Sequence, residues 1–449
     1  VAGTSSGVGK TTVATGLMAA LRRRGLRVAP AKVGPDFIDP GYHGLATGRP
    51  GRNLDAWISG AEAIAPLAAR AAADADVLVV EGVMGLFDGA SDDGATASTA
   101  HVATLLDAPV VLVVDAKAMS GSVAALVHGF ATFDPSVRVA GVILNQVGSD
   151  GHATMLREAL VPIGVPVLGT MRRDSHLIWR DRHLGLVPVV EQRREVEESL
   201  DRLAVAVEQG CDLDALLRVA ASAPPIAVEP LPVPERVGRA VVAVATGPAF
   251  AFVYADNVEA LEAAGAEVVT FDPLHDERLP PEADGLYVGG GFPEVFAERL
   301  AQNTGLLDDV RSRRLVTWAE CGGLLWLCNR LDGHRLAGVV DAEARMTDRL
   351  TLGYRRATAR VDNPLCRAGV ELRGHEFHYS VAEPTGDALH LRARFGEGPA
   401  GFATPTLLAS YLHLHLGATP GPAERFVGVV SARRGAREAG ESPARFPPL

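Results

Sequence analysis

A chain of 449 residues is longer than one hydrophobic core usually organises, so two domains are expected. Its composition, 47% hydrophobic and 22% charged, is that of a globular protein. No apolar run reaches the roughly 18 residues of a bilayer span, which excludes a membrane-bound scaffold. The net charge of −11 lacks the basic face that general nucleic-acid binding needs, but leaves room for an anionic small molecule held by local arginines.

In chain order, the first residues already belong to a motif. Most of the first strand is therefore expected to precede Val1, and a leader before it stays open. Gly3-Thr4-Ser5-Ser6-Gly7-Val8-Gly9-Lys10-Thr11-Thr12 then runs from a glycine-rich turn into a helix. Backbone N–H groups of such a turn, together with the helix N-terminus, suit phosphate oxygens. Gly7, Val8, Gly9, Lys10, Thr11 and Thr12 are thus candidate nucleotide-binding residues, with Lys10 on the β/γ oxygens and the Thr11 hydroxyl on Mg²⁺. Five residues separate Gly3 from Gly9, where the standard loop has four.

Leu26 to Lys32, Asp76 to Glu81, Pro109 to Asp115 and Val139 to Asn145 read as buried strands. Thr12 to Arg24 and Ala61 to Ala73 carry helical patterning between them. The alternation predicts an α/β domain whose parallel sheet is covered on both faces. Polar residues gather at or just after strand ends: Lys32, Asp36, Asp55, Glu81, Asp88 and Asn145. Taken singly, each acid reads more simply as a solvated loop carboxylate. Arg172, Arg173, Arg180 and Arg182, interleaved with His176, Trp179 and His183, form either a basic rim for an anionic substrate or a solvated loop.

Ala221 to Arg236 holds five prolines and little periodicity, which marks a linker. Alternation restarts at Ala240 to Thr246, with a helix near Asn257 to Ala264, then Glu267 to Phe271 and Gly285 to Gly289. The expected domains are residues 1–220, a linker at 221–237, a second α/β domain at 238–433, and a disordered Arg/Gly/Pro/Glu-rich tail at 434–449.

In the second domain, Leu315 to Ala319 supplies a strand, Cys321 a sharp turn, and Gly322 to Leu327 a helix start. A nucleophile on such a turn needs small neighbours so that its side chain stands clear. The helix N-terminus suits a thiolate, while the N–H groups of Gly290, Gly291 and Gly322 suit an oxyanion. The stretch Ser410-Tyr411-Leu412-His413-Leu414-His415 offers two candidate bases. His375, Glu376, His378 and Tyr379 form a dense polar block read as structural or interfacial rather than metal-binding. Cys211, Cys328 and Cys366 lack the turn setting, and the four cysteines show no pairing pattern, so a reducing cytoplasm is expected.

The phosphate loop, with its extra residue, resembles dethiobiotin synthetase and its relatives, and Ser5 stands where partition ATPases carry a second lysine. That resemblance implies a nucleotide role for Lys32, adenine reading by Asn145, and a Mg²⁺ shell of Thr11, Asp55 and Glu81. Residues 238 to 432 resemble the class I glutamine amidotransferases, which implies Cys321 as nucleophile and His413 as its activator, with His415 the alternate. The usual Pro-x-Glu after the histidine is absent, leaving a Cys–His dyad.

Along nearly the whole chain the sequence resembles the cobyrinate (hydrogenobyrinate) a,c-diamide synthase family. The resemblance rests on Ala31 to Pro40, Glu81 to Gly89, Arg182 to Leu186, Gly374 to Ser380 and Ser410 to His415. It implies ATP-dependent amidation of two corrin acetate carboxylates with glutamine-derived ammonia, and substrate roles for Asp36 and Asp88. Expected partners are a corrinoid acid, glutamine and MgATP, with no nucleic acid and no membrane, and with a homodimer left open. Two rivals stand beside it: amidation of another tetrapyrrole such as nickel sirohydrochlorin, and a partition-type ATPase with an inactive amidotransferase-like module.

Overall fold

Runs such as Val110–Asp115, apolar at nearly every position, become central parallel strands because helices cover both faces of the sheet. The computed structural model describes residues 1–90, 96–174, 181–182, 185–186, 189–191 and 193–439. The chain divides into two units, Val1–Leu231 and Pro232–Leu449.

The first unit runs β1 (Ala2–Gly3), α1 (Lys10–Arg23), β2 (Val28–Val33), α2 (Ile38–Thr47), β3 (Arg52–Leu54), α3 (Ala61–Ala71) and β4 (Val77–Glu81). It continues with α4 (Thr99–Leu105), β5 (Val110–Asp115), α5 (Ser122–Thr132), β6 (Val139–Val147), α6 (Asp150–Leu160) and β7 (Val167–Arg172). The short pair β8 (Asp181–Arg182) and β9 (Gly185–Leu186) precedes α7 (Arg193–Gly210) and α8 (Leu213–Ala221). The strands pair in parallel as β3-β2-β4 and β1-β5-β6-β7. The Val1 amine donates to Val80 O at 2.8 Å and the Gly82 N–H to Val1 O at 2.8 Å, which joins the two pieces between β4 and β1. Lys32, Glu81, Asn145 and the loop after β1 therefore meet at the carboxyl edge of one sheet, where ligands bind in open α/β folds.

The second unit begins, after a stretch with no helix or strand, at β10 (Ala240–Ala245). There follow α9 (Ala255–Ala263), β11 (Ala266–Phe271), β12 (Gly285–Val288), α10 (Ala297–Gln302), α11 (Thr304–Arg313), β13 (Val316–Glu320) and α12 (Gly322–Leu327). Then come β14 (Cys328–Leu331), β15 (His334–Arg335), β16 (Val340–Ala359), β17 (Glu371–Glu383), β18 (Leu389–Ala393) and β19 (Gly396–Ala400). β20 (Phe402–Thr404), β21 (Leu407–Ser410), β22 (His413–Leu414) and α13 (Gly421–Glu438) close it. One sheet has the order β11-β10-β12-β13-β21-β20. Along β10, Val242 and Val244 join one core with Leu261 and Phe426, while Ala243 and Ala245 join another with Phe250 and Trp326. Alternate residues thus fill opposite faces. A second sheet is built on the antiparallel β16–β17 hairpin, with β22 at the edge of β17.

The disordered tail expected from residue 434 is corrected as far as Glu438. α13 continues to that residue because Arg434 pairs with Glu438 at 2.9 Å, one turn on, and with Asp284 at 3.3 Å. Residues 440–449 lie outside the described ones. Among the described residues no helix is long and apolar enough to cross a membrane.

Candidate active sites

In the first unit the turn from β1 to α1 is closed by Gly9, whose φ of 91° a side chain rarely tolerates. A Cβ at Gly9 would also collide with Asn145 Nδ2. Asn145 donates to Val8 O at 2.9 Å, so this side chain braces the loop from β6. Gly7 is exposed, Thr12 is half-buried in the first turn of α1, and Lys10 Nζ folds back onto Ser5 O at 3.0 Å. Burial, with Lys32 adding to it, draws the Lys10 pKa below the ordinary lysine value, against the pull of Glu81, Asp39 and Asp88.

Beneath the loop lies a buried charge network. Lys32 Nζ is 2.6 Å from Asp39 Oδ2 and 2.9 Å from Glu81 Oε1, and donates to Gly82 O at 3.1 Å. The Thr11 hydroxyl lies 2.7 Å from Glu81 Oε1 and 3.2 Å from Asp39 Oδ2. His43 Nε2 lies 2.7 Å from Glu81 Oε2. Burial works against the Lys32 charge, but Glu81 and Asp39 outweigh it and raise its pKa. Burial likewise opposes the Glu81 charge, and Lys32 and His43 overcome it and hold its pKa low. Asp39 goes the other way: burial and repulsion from Asp36 and Glu81 push its pKa up despite Lys32.

The oxygens of Thr11, Glu81 and Asp39 therefore converge, a donor set that fits a hard divalent cation. Asp55, expected in that shell, instead accepts the Trp57 and Ile58 N–H groups, both at 2.9 Å. Its carboxylate closes the turn after β3. Lys32, expected at the nucleotide, has its ammonium held by two carboxylates and a carbonyl. Asp39 and His43 are the residues that sequence reasoning left unassigned. Their signal was spacing: four apart, they share one face of α2.

Around this network, Asp36 is half-buried and accepts the N–H groups of Ile38 at 2.7 Å and Asp39 at 3.1 Å. Asp88 is exposed and accepts from Gly85 N–H at 2.8 Å, beside the Thr4 carbonyl. Of the expected basic rim, Arg172 pairs with Asp150 and Arg173 is exposed. His176, Trp179, Arg180 and His183, with the Arg182 side chain, lie outside the described residues.

In the second unit, Cys321 sits between β13 and α12 at φ 47° and ψ −102°, a strained conformation for a residue with a side chain. Its N–H donates to Ser410 O at 2.7 Å, and Sγ lies 4.0 Å from Phe377 O. Burial and the field of Glu294 push the thiol pKa up, and the Gly322 N–H only partly offsets them. Burial thus works against the thiolate that the helix N-terminus suits. Cys328 is fully buried with its thiol on Leu324 O at 3.3 Å, Cys211 packs on Met171, and Cys366 on Asn363.

The expected oxyanion donors separate. Gly290 N–H donates to Phe252 O at 3.0 Å and so is committed. What Gly290 supplies is space, because a Cβ there would strike the His413 ring. Gly291 N lies 3.0 Å from the position a Gly322 Cβ would take, so the N–H groups of Gly291 and Gly322 are neighbours beside Cys321.

β22 sets the two histidines apart. His413 pairs with His375 across the β17 edge, the rings stacked at 4.9 Å, and its Nδ1 lies 3.8 Å from Glu320 Oε2. His415 turns to Asp256 at 3.6 Å and packs edge-on against Tyr254 at 4.8 Å. His378 stacks on Tyr411 at 3.7 Å and bonds Ser380 O at 2.8 Å through Nδ1. Glu376 pairs with Arg355 at 2.7 Å. Among the described residues no group of three or more His, Cys, Asp or Glu side chains is disposed to hold a metal.

Two family models match the chain. A CobQ/CobB/MinD/ParA nucleotide binding domain covers residues 1–186, and a CobB/CobQ-like glutamine amidotransferase domain covers residues 241–420. A hydrogenobyrinate a,c-diamide synthase of Streptomyces coelicolor is 52% identical, with 95% of this chain and 96% of the relative aligned. One of Thermobifida fusca is 49% identical, with 96% of each aligned. A cobyrinate a,c-diamide synthase of Picrophilus torridus is 42% identical, with 94% of this chain and 96% of the relative aligned.

Proposed function

The chain belongs to the family of hydrogenobyrinate and cobyrinate a,c-diamide synthases, and from that premise we propose that it amidates the a and c acetate carboxylates of a corrinoid acid in cobalamin biosynthesis, consuming ATP and glutamine. The observation that carries the reading is 52% identity along 95% of the chain, alongside family models over residues 1–186 and 241–420 that take in the phosphate loop and the cysteine turn.

In the second unit, the Cys321 sulfur attacks the glutamine side-chain carbonyl while His413 Nε2 takes the thiol proton. The N–H groups of Gly291 and Gly322 hold the oxyanion. When the tetrahedral species collapses, the carbon–nitrogen bond breaks and His413 returns the proton to the leaving ammonia. Water attack on the thioester then releases glutamate and restores the thiol.

In the first unit, the N–H groups of the loop and Lys10 hold the ATP phosphates, with Lys10 leaving Ser5 O to do so. Thr11, Glu81 and Asp39 would hold a Mg²⁺ that neutralises charge on the transferred phosphoryl group. A substrate carboxylate oxygen attacks the γ-phosphorus, and ADP leaves. Ammonia then attacks the acyl phosphate carbon, phosphate departs, and an amide remains. Asp36 and Asp88, at the open edge of the site, orient the carboxylate and accept the proton that ammonia gives up.

The test is mass spectrometry of hydrogenobyrinic and cobyrinic acids after incubation with enzyme, MgATP and glutamine. A product amidated twice is expected. With Cys321→Ala, glutamine is expected to support no product, while added ammonium salt restores it. Glutamine hydrolysis with no mass change on either corrin would sink the substrate assignment.

A further inference from the structure

Glu320 is a carboxylate that none of these steps uses. It ends β13, one peptide bond from the nucleophile, and is fully buried. Leu414 N–H donates to its Oε1 at 2.9 Å, the Tyr287 hydroxyl donates to its Oε2 at 3.0 Å, and His413 Nδ1 stands 3.8 Å from that same Oε2. The brace is itself rigid. The Tyr287 ring lies flat on Trp318 at 4.0 Å, and its oxygen accepts from Asn257 Nδ2 at 3.2 Å. The Asn257 amide also grips the segment that carries His413, donating to Leu414 O at 2.8 Å and accepting from Leu416 N–H at 2.7 Å.

We propose that Glu320 is the positioning residue of the glutamine-hydrolysing site, orienting the His413 ring through Nδ1 and stabilising the imidazolium that forms when Nε2 takes the Cys321 proton. The inference rests on the amidotransferase reading of Cys321 and His413. The sequence places no carboxylate two residues after the histidine, and the fold supplies one from the opposite direction, from the strand that ends at the nucleophile. In this role His413 Nδ1–H donates to the Glu320 carboxylate while Nε2 takes and returns the Cys321 proton. A separation of 3.8 Å is an ion-pair distance that a small ring rotation shortens to a hydrogen bond. Catalytic contacts commonly tighten in this way when substrate binds.

Leu414 N–H gives Glu320 a structural use as well, so the test must separate charge from anchoring. In Glu320→Gln the amide oxygen can still accept from Leu414 N–H, so the anchor is kept, while the negative charge and the Oε2 acceptor facing Tyr287 and His413 are lost. On the full-length protein two readouts are taken: glutamine hydrolysis, and the pH dependence of Cys321 alkylation by iodoacetamide, followed on its peptide by mass spectrometry. In Glu320→Gln, kcat for glutamine hydrolysis is expected to fall about 100-fold with KM nearly unchanged. The alkylation midpoint is expected to rise by about one pH unit, because a less favoured imidazolium supports less thiolate. Ammonia-driven amidation should continue at the parent rate, and Glu320→Asp should recover part of the loss.

An unchanged alkylation midpoint with kcat within about threefold of the parent would overturn the proposal. So would equal loss of the ammonia-driven and glutamine-driven reactions, which marks a structural role only. If the parent protein hydrolysed no glutamine, the amidotransferase reading would fail, while the alkylation midpoint would still decide whether Glu320 acts on the Cys321–His413 pair.

Discussion

Lys32 shows how much one buried charge can organise. Its ammonium sits between Asp39 and Glu81, and removing it would leave two carboxylates facing each other out of water. Breaking a buried ion pair from one side costs about 3–5 kcal/mol. Lys32→Met is therefore expected to destabilise the protein by about 3 kcal/mol, read by urea denaturation, since Asp39 can take up a proton and recover part of the loss. A loss below about 1 kcal/mol would mean that the carboxylates are solvated. The pH sign follows from Glu81, whose folded pKa lies below its ordinary 4.5. Its contribution is present above that pH and lost as pH falls through the lower folded value, so the difference between parent and variant shrinks in acid. Cys321 is the other residue under constraint. Glycine adopts φ of 47° without the penalty that a side chain meets. Cys321→Gly should abolish glutamine hydrolysis yet stabilise the second unit by about 1 kcal/mol, seen as a raised melting midpoint. A lowered midpoint would show that the thiol's packing outweighs the strain.

Among the elements, β17 carries the next prediction. Burial lowers the His378 pKa from 6.5 to about 4, with the Ser380 carbonyl pulling the other way. Between those values the unfolded chain binds a proton that the fold refuses, so stability falls as pH drops from 6.5 toward 4, by at most about 3 kcal/mol. His378→Gln should flatten the dependence of unfolding free energy on pH across that window, whatever it does to the absolute stability. An unchanged slope would show that His378 titrates normally. The elements also differ in how plainly the sequence announces them. The strand read at Val139 to Asn145 is β6, two residues longer, and it was legible because its positions from Val139 to Leu144 are all apolar or small. β16 went unseen although its signal is present: Val340, Ala342 and Ala344 are buried while Asp341, Glu343 and Arg345 are exposed. Charge on the outward face hid an alternation that marks a half-buried strand.

At the scale of the whole molecule, what the sequence revealed was whatever lies along one stretch of chain. The phosphate loop and the cysteine turn are contiguous, so spacing and residue type were enough to find both. Asp39 and His43 depend on where α2 lands beside β4, and Glu320 depends on β22 returning to β13. The four-residue spacing puts Asp39 and His43 on one face of α2, but no local pattern encodes what that face meets, nor that the residue before the cysteine meets the segment carrying the histidine. Both sites nevertheless share a plan, a parallel strand that turns sharply into a helix, with Gly9 at φ 91° in one and Cys321 at φ 47° in the other. The difference between them bears on descent. Gly9 meets its geometry without opposition, so folding and chemistry favour the same residue. At Cys321 the two demands oppose each other, and only continued selection for glutamine use keeps a thiol in that position. A lineage supplied with ammonia from elsewhere would be free to lose Cys321 early, and its descendants would fold the more securely for the loss.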